Sequence, residues 1–231
     1  FTVRLGPSRM DSAAETWLAV QPLDFTAAAA LGASGAPLCP LVVERLAAPK
    51  TRDAALAALA HGLDGACVGQ VIAFAADKAA AVATRVAALR ALGSSQDEAA
   101  RKAVVAALEE TAIPIKAAAI AAHARPGSGR AVLFRLTPFL RDPAIEIRAA
   151  ASAGIVRAVG DAALDQLYLI WKETDPRPYE QTAVELGTLS SQPSAEMLGK
   201  FLKKDNPRVR VAAAAALAGR RDTHARQALQ S

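Results

Sequence analysis

The chain has 231 residues, 52% of them hydrophobic but only 4% aromatic, and a formal net charge of +5. Its apolar content is mostly Ala, Leu and Val. This excludes the β-rich classes, which need more Tyr, Phe, Thr and Ile, and points to an all-α protein, since alanine is the best helix former. Charges break the Ala-rich runs every few residues, so no stretch reads as a membrane span, and no signal peptide is visible.

Residues 1–37 differ from the rest and are expected to cap the N-terminal end. FTVRLGPS is short and β-prone, and reads as an extended arm. SAAETWLAV (Ser12–Val20) and DFTAAAALGAS (Asp24–Ser34) read as helices, with Asp11 or Ser12 and Asp24 as N-caps. Trp17 reads as a packing residue of the first of them. GASGAP (Gly32–Pro37) is a turn or linker.

Residues 38–231 read as an array of repeats. After Arg148, alanines follow at two and three residues (Ala150, Ala151) and an aliphatic at seven, Ile155. Arg52, Arg85 and Arg210 have the same offsets. Lys116 is followed by Ala118 and Ala119, but His123 stands where the aliphatic should be, and near Glu180 the unit YEQTAVELG keeps Ala183 and Leu186 in a shifted register. The anchors at 52, 85, 116, 148, about 180 and 210 are spaced by about 32 residues, a period that marks repeat architectures.

Each unit divides in two. An apolar first helix, such as LTPFL, DQLYLIW or AEMLGKFL, is followed by a turn at Asp142–Pro143, Asp175–Pro176 or Asn206–Pro207. Asp or Asn before Pro opens a turn, and Pro suits the first position of a helix. The Ala-rich second helix comes next and is expected to close on Gly93, Gly160, Gly187 or Gly219. Such pairs bury their apolar faces only by stacking. The paired alanines are expected where one second helix meets the next. The anchor Arg is expected to pair with the acidic turn residue of its own or the adjacent repeat, giving a ladder of charge along the stack.

Cys39 and Cys67 lie about one repeat apart and lack a metal-ligand spacing. Two readings stay open. Free buried thiols fit a cytoplasmic protein, and a disulfide between neighbouring repeats fits a periplasmic or secreted one.

The units LRDPAIEIRAAASAGI and NPRVRVAAAAALAG resemble HEAT repeats, in the short form of bacterial proteins and of bilin-lyase-type chaperones. The resemblance covers about four-fifths of the chain. It implies a right-handed α-solenoid of about six helix pairs, whose second helices line a concave surface. The TPLH pattern of ankyrin repeats and the Trp, Leu-Gly, Tyr pattern of tetratricopeptide repeats are absent.

Catalytic signatures are sparse. His61, His123 and His224 stand alone and none is followed by Glu. The His-Glu dyads that hold iron in the HEAT-repeat deoxyhypusine hydroxylases are therefore missing. PGSGR (Pro126–Arg130) reads as an inter-repeat loop rather than a phosphate cradle. WKETDPRPYE (Trp171–Glu180) carries the residue types that HEAT-like alkylpurine DNA glycosylases use, an Asp with aromatics and Arg, but not a motif. Trp171 is expected in the core and Asp175–Pro176 in the turn.

Charge is uneven. Residues 1–100 hold eight Lys/Arg against nine Asp/Glu, whereas residues 200–231 hold eight Lys/Arg against two Asp. A nucleic-acid partner for that basic end is disfavoured by the shortage of stacking aromatics. The expectation is a non-enzymatic scaffold, with no cofactor or metal, that binds a protein or peptide on its concave surface. Exposed candidates are Arg90, Arg157, Arg177, Tyr179, Lys204 and Arg208. The alternative is an enzyme-like module, either a bilin-lyase-type chaperone or an alkylpurine glycosylase. A basic concave face holding a carboxylate would favour the glycosylase, and a mixed-charge face would favour the scaffold.

Overall fold

The structure, a computed structural model, describes residues 38–230. The expected capping helices of residues 1–37 lie outside the described residues. Among the described residues every regular element is helical: twelve α-helices and two 3-10 segments. None of these helices is long and apolar enough to cross a membrane. The chain divides into two compact units, Phe1–Ala107 and Leu108–Ser231.

In the first unit, α1 (Cys39–Ala47), α2 (Arg52–Leu59), α3 (Gly65–Ala76), α4 (Val82–Ser94) and α5 (Glu98–Ala107) follow one another through short turns. The second helices α2 and α4 pack together. The Asp64 side chain caps α3 by accepting from the Ala66 N–H at 3.1 Å. Its other oxygen accepts from the Cys39 N–H, which ties the start of α1 to the start of α3. Beside this link the Cys39 and Cys67 sulfurs lie at bonding distance, with their Cα atoms 5.6 Å apart. Across the second helices the Thr84 hydroxyl donates to Asp53 at 2.7 Å, and the Ser94 hydroxyl donates to the Leu59 carbonyl while accepting from the Leu63 N–H.

In the second unit, α6 (Ile113–His123) is followed by α7 (Arg130–Leu136), which runs into a 3-10 turn at Thr137–Arg141. Then come α8 (Ile145–Val159), a 3-10 segment at Gly160–Ile170, α9 (Arg177–Gly187), α10 (Gln192–Leu202), α11 (Pro207–Gly219) and α12 (Thr223–Gln230). The second helix α8 packs on both α6 and α9, and α9 packs on α11.

The paired alanines divide: the first after the anchor is half-buried at Ala54, Ala87, Ala150 and Ala212. The second alanine after each anchor, at Ala55, Ala88, Ala119, Ala151 and Ala213, is fully buried. Contact between α9 and α11 is so close that a Cβ placed on Gly187 would come within 3.0 Å of the Ala216 Cβ and 3.3 Å of its carbonyl. Gly187 thus serves helix approach. Of the four expected closing glycines only Gly160 takes a positive φ, of 60°, and its ψ of −133° is not left-handed helical. Gly93 lies within α4, and Gly219 ends α11 without a positive φ.

The turn residues recur as local caps. The side-chain oxygens of Asp142, Asp175 and Asn206 each accept from the backbone N–H two residues on, at 2.9, 2.9 and 3.0 Å. That geometry satisfies a donor the helix start would leave open. Only Pro207 of the three turn prolines opens its α-helix at the first position; Pro176 is the N-cap of α9, and α8 begins at Ile145, two residues after Pro143.

The anchor arginines depart in part from expectation. Each reaches backbone carbonyls of the preceding turn, and Arg148 is also held by a turn carboxylate, Glu173 of the adjacent repeat. Arg52 donates to the Leu46 and Ala47 carbonyls, Arg148 to those of Asp142 and Pro143, and Arg210 to those of Lys204 and Asp205. The buried Arg85 donates to the Ala75 carbonyl at 2.9 Å. The last carbonyls of a helix have no partner within it, and a guanidinium supplies several donors at once. The carboxylates of Asp142 and Asp175 are turned to their own turns. His123, in the aliphatic place of a degenerate unit, keeps its Nε2 buried without a partner. Burial, then Arg135 and Arg125, lower its pKa from the usual value.

Candidate partner-binding surface

The second helices of the second unit carry a ladder of opposite charges, each pair joining one repeat to the next. The Arg177 guanidinium meets Glu146 at 2.6 Å, and Arg208 meets Glu180 through two hydrogen bonds at 2.7 and 2.9 Å. Arg157 pairs with Glu185. Arg148, besides its carbonyl contacts, holds Glu173 in a fork of 2.6 and 3.0 Å. Of these four arginines only Arg148 is a repeat anchor; Arg157, Arg177 and Arg208 are not, so the ladder differs from the one expected from the anchors and runs through Glu146, Glu173, Glu180 and Glu185. Partners of opposite sign about one repeat apart are its sequence signal.

The six candidates fare differently. Arg157, Arg177 and Arg208 are held by carboxylates, with Arg208 the most exposed. Arg90 lies in the first unit, on α4, exposed and without a hydrogen bond or ion pair among the described residues. Tyr179 is not exposed: it is 2% accessible, and its hydroxyl donates to the Trp171 carbonyl at 2.6 Å. It lies two residues after Arg177 on α9, about 200° around the helix, so it faces the core where Arg177 faces outward. Its ring packs edge-on against Phe201, 5.1 Å between centroids. Burial, then the charge of Glu173, pushes its phenol up to about 12. Lys204 is half-buried and engaged internally. Its ammonium sits 3.8 Å from the Trp171 ring centroid and donates to the Trp171 carbonyl at 2.7 Å. Burial lowers its pKa, against the opposing pull of Asp205.

Trp171, expected in the core, is 37% exposed. Leu167 to Trp171 are five consecutive apolar residues, and a helix turn cannot point all five inward. Leu167 and Ile170 take the core, while Tyr168 stands out at 65% exposure. With Leu164 and Met197 these aromatics line a groove of about 430 Å³ between the 3-10 segment Gly160–Ile170 and α10.

Asp175, the carboxylate that a glycosylase reading would need, is committed. Both its oxygens accept from Arg177 side-chain nitrogens at 2.8–3.2 Å, and one accepts the Arg177 N–H. These bonds hold its carboxyl down at about 2, below the usual carboxylate range. Asp175 is thus engaged by Arg177 through both of its oxygens. No protein-family model matches the chain, and no curated protein matches it.

Proposed function

We propose that the chain is a non-enzymatic scaffold of HEAT-like repeats, a right-handed α-solenoid of about six helix pairs, that binds a protein or peptide partner along its second helices. The observation that carries this reading is the self-neutralised ladder on α8, α9 and α11. Arg157, Arg177 and Arg208 each face a carboxylate from a neighbouring repeat. Exposed among them stand Val184 and Val211, at 64% and 68%. A phosphate backbone is bound by unmatched cations that displace counterions. A mixed-charge face dotted with aliphatics suits a protein surface, whose interfaces mix apolar contact with scattered polar pairs. The glycosylase alternative would need a free carboxylate on a basic face, and Asp175 is bound by Arg177. The nearness of the Cys39 and Cys67 sulfurs favours an oxidising compartment, periplasmic or secreted, over the cytoplasm.

Capture by the immobilised chain at about 50 mM and about 300 mM salt tests the reading, because phosphate-dominated contacts weaken by orders of magnitude over such a range. A discrete protein retained at the higher salt, and lost when Val184 and Val211 are both changed to Glu, is the expected result. Nucleic acid recovered only at the lower salt would overturn it.

A further inference from the structure

The second-helix face does not account for the aromatic groove on the first-helix side of the same unit. The 3-10 segment Gly160–Ile170 and α10 run parallel. The Ser191 hydroxyl donates to Asp161 at 2.7 Å at one end, and the Trp171 and Phe201 rings lie 6.2 Å apart at the other. Between them Leu164, Tyr168, Trp171, Pro193 and Met197 form a mostly apolar floor. The volume, about 430 Å³, falls in the range of small-ligand and peptide-side-chain sites. A second hollow of about 360 Å³ lies on the other side of α10, and Glu196 and Lys200 line both.

The charges around this floor are sorted. Asp165 and Glu196 stand towards the Asp161 end. Lys200 lines the groove near the Trp171 end, and Lys203, the residue that follows α10, lines the second hollow. Both lysines are exposed and have no hydrogen bond or ion pair among the described residues. The Tyr168 hydroxyl is likewise unpartnered among them. Lys204 differs: the Trp171 ring and carbonyl hold it, and it fixes the indole at the end of the groove.

We propose that this groove is a docking site for an extended peptide that carries apolar side chains immediately followed by a carboxylate. The apolar side chains enter between Tyr168 and Met197, and the carboxylate meets Lys200 and Lys203. Charge complementarity selects this occupant. A polyanion would meet Asp165 and Glu196 along half its length, and a basic peptide would meet the two free lysines. An apolar segment with acid on one side only satisfies both ends. Aromatic floors suit extended or proline-containing segments, which lose little conformational freedom on docking.

The test uses synthetic fluorescein-labelled peptides built on a Leu-Pro-Leu core followed by two Asp, two Ala or two Lys residues, with binding to the whole chain read by anisotropy. The Asp peptide is expected to bind at least about tenfold more tightly than the Ala and Lys peptides, a difference of about 1.4 kcal/mol. Tyr168→Ala is expected to weaken it by a similar factor. The pair Lys200→Glu, Lys203→Glu should erase the preference for Asp over Ala while leaving the circular dichroism unchanged. Tyr168, Lys200 and Lys203 are all exposed, so the variants should fold. Absence of binding by every peptide, equal binding of the three, or binding indifferent to these variants would each overturn the proposal. Val184→Glu on the second-helix face is the control. Loss of peptide binding there, with the groove variants unaffected, would also overturn it, and would leave the scaffold reading standing.

Discussion

The two units lock their helix pairs together by different means. In residues 38–107 the links are short side chains: Asp64 joins the starts of α1 and α3, the Cys39 and Cys67 sulfurs sit beside that joint, and the Thr84 and Ser94 hydroxyls bridge α2 and α4. In residues 108–230 the links are long side chains of opposite charge, from Arg148 to Glu173, Arg157 to Glu185, Arg177 to Glu146 and Arg208 to Glu180. One period of small residues therefore tolerates two chemistries at its seams. Alanine sets the spacing between second helices in both units, while the seam chemistry decides which conditions loosen each. The first unit should answer to redox conditions, and the second to charge and salt.

The largest effect should come from the core, and it should be confined to one side of the comparison. Phe201 is fully buried and packs T-shaped with Tyr179. Phe201→Ala should cost about 3–5 kcal/mol, the range for deleting a buried aromatic. Hydrogen exchange should quicken in α9 to α11 and stay unchanged in α2 to α4. Quickening in both units would mean that they do not hold separately.

Reduction is the converse experiment. Opening a bond between Cys39 and Cys67, 28 residues apart in sequence, should cost about 2–4 kcal/mol. The loss should appear as faster exchange in α1 and α3, with α8 to α11 indifferent to reductant. An unchanged melting curve with and without reductant would show that the thiols stand apart in solution.

Much of this was legible before any coordinates. The period near 32, the buried second alanine after each anchor, and the Asx caps at Asp142, Asp175 and Asn206 follow from residue size and turn chemistry, which act locally. The partners of long side chains were less legible. Arg148 can reach several acceptors within one repeat, and only the fold decides that Glu173 and two carbonyls win over the Asp142 carboxylate. Tyr179 was misplaced for a similar reason. In YEQTAVELG the shifted register hides which face turns inward, and the chain buries Tyr179 while exposing Trp171 and Tyr168. Five apolar residues in a row at Leu167–Trp171 were the available warning. The candidate site suffered most, because exposure depends on the neighbouring repeat as well as on a helix's own pattern.

Arg148→Ala should have the next effect, about 1.5–3 kcal/mol, in keeping with hydrogen bonds to charged groups that are largely out of water. It leaves Glu173 half-buried without its cation, so the double change with Glu173→Gln should recover part of the loss. Recovery in urea unfolding would mark the pair as the coupled seam. No recovery would mean that the carbonyl contacts of Arg148 to Asp142 and Pro143 carry the stability.

The smallest effect belongs to the exposed rungs, and it distinguishes charge from geometry. Arg208 is largely open to water against a half-buried Glu180, and Arg177 and Glu146 are each partly exposed. Such pairs contribute less than about 1 kcal/mol each and are screened by salt. Arg208→Ala should therefore shift the urea midpoint slightly at low salt and not at all near 1 M. Acid acts on the same rungs with a definite sign. Asp175 is held down at about 2 by its hydrogen bonds to Arg177. Its folded state thus prefers the ionised form, and its contribution is complete above the ordinary carboxylate range near 4 and fades as pH falls from there towards 2. Asp175→Asn keeps an acceptor for the Arg177 N–H but removes the charge, so the variant should lose less stability between pH 5 and pH 3 than the parent. Equal losses would assign the acid sensitivity of this unit to its other carboxylates, Glu146 among them, whose pKa its own backbone N–H and Arg177 also lower.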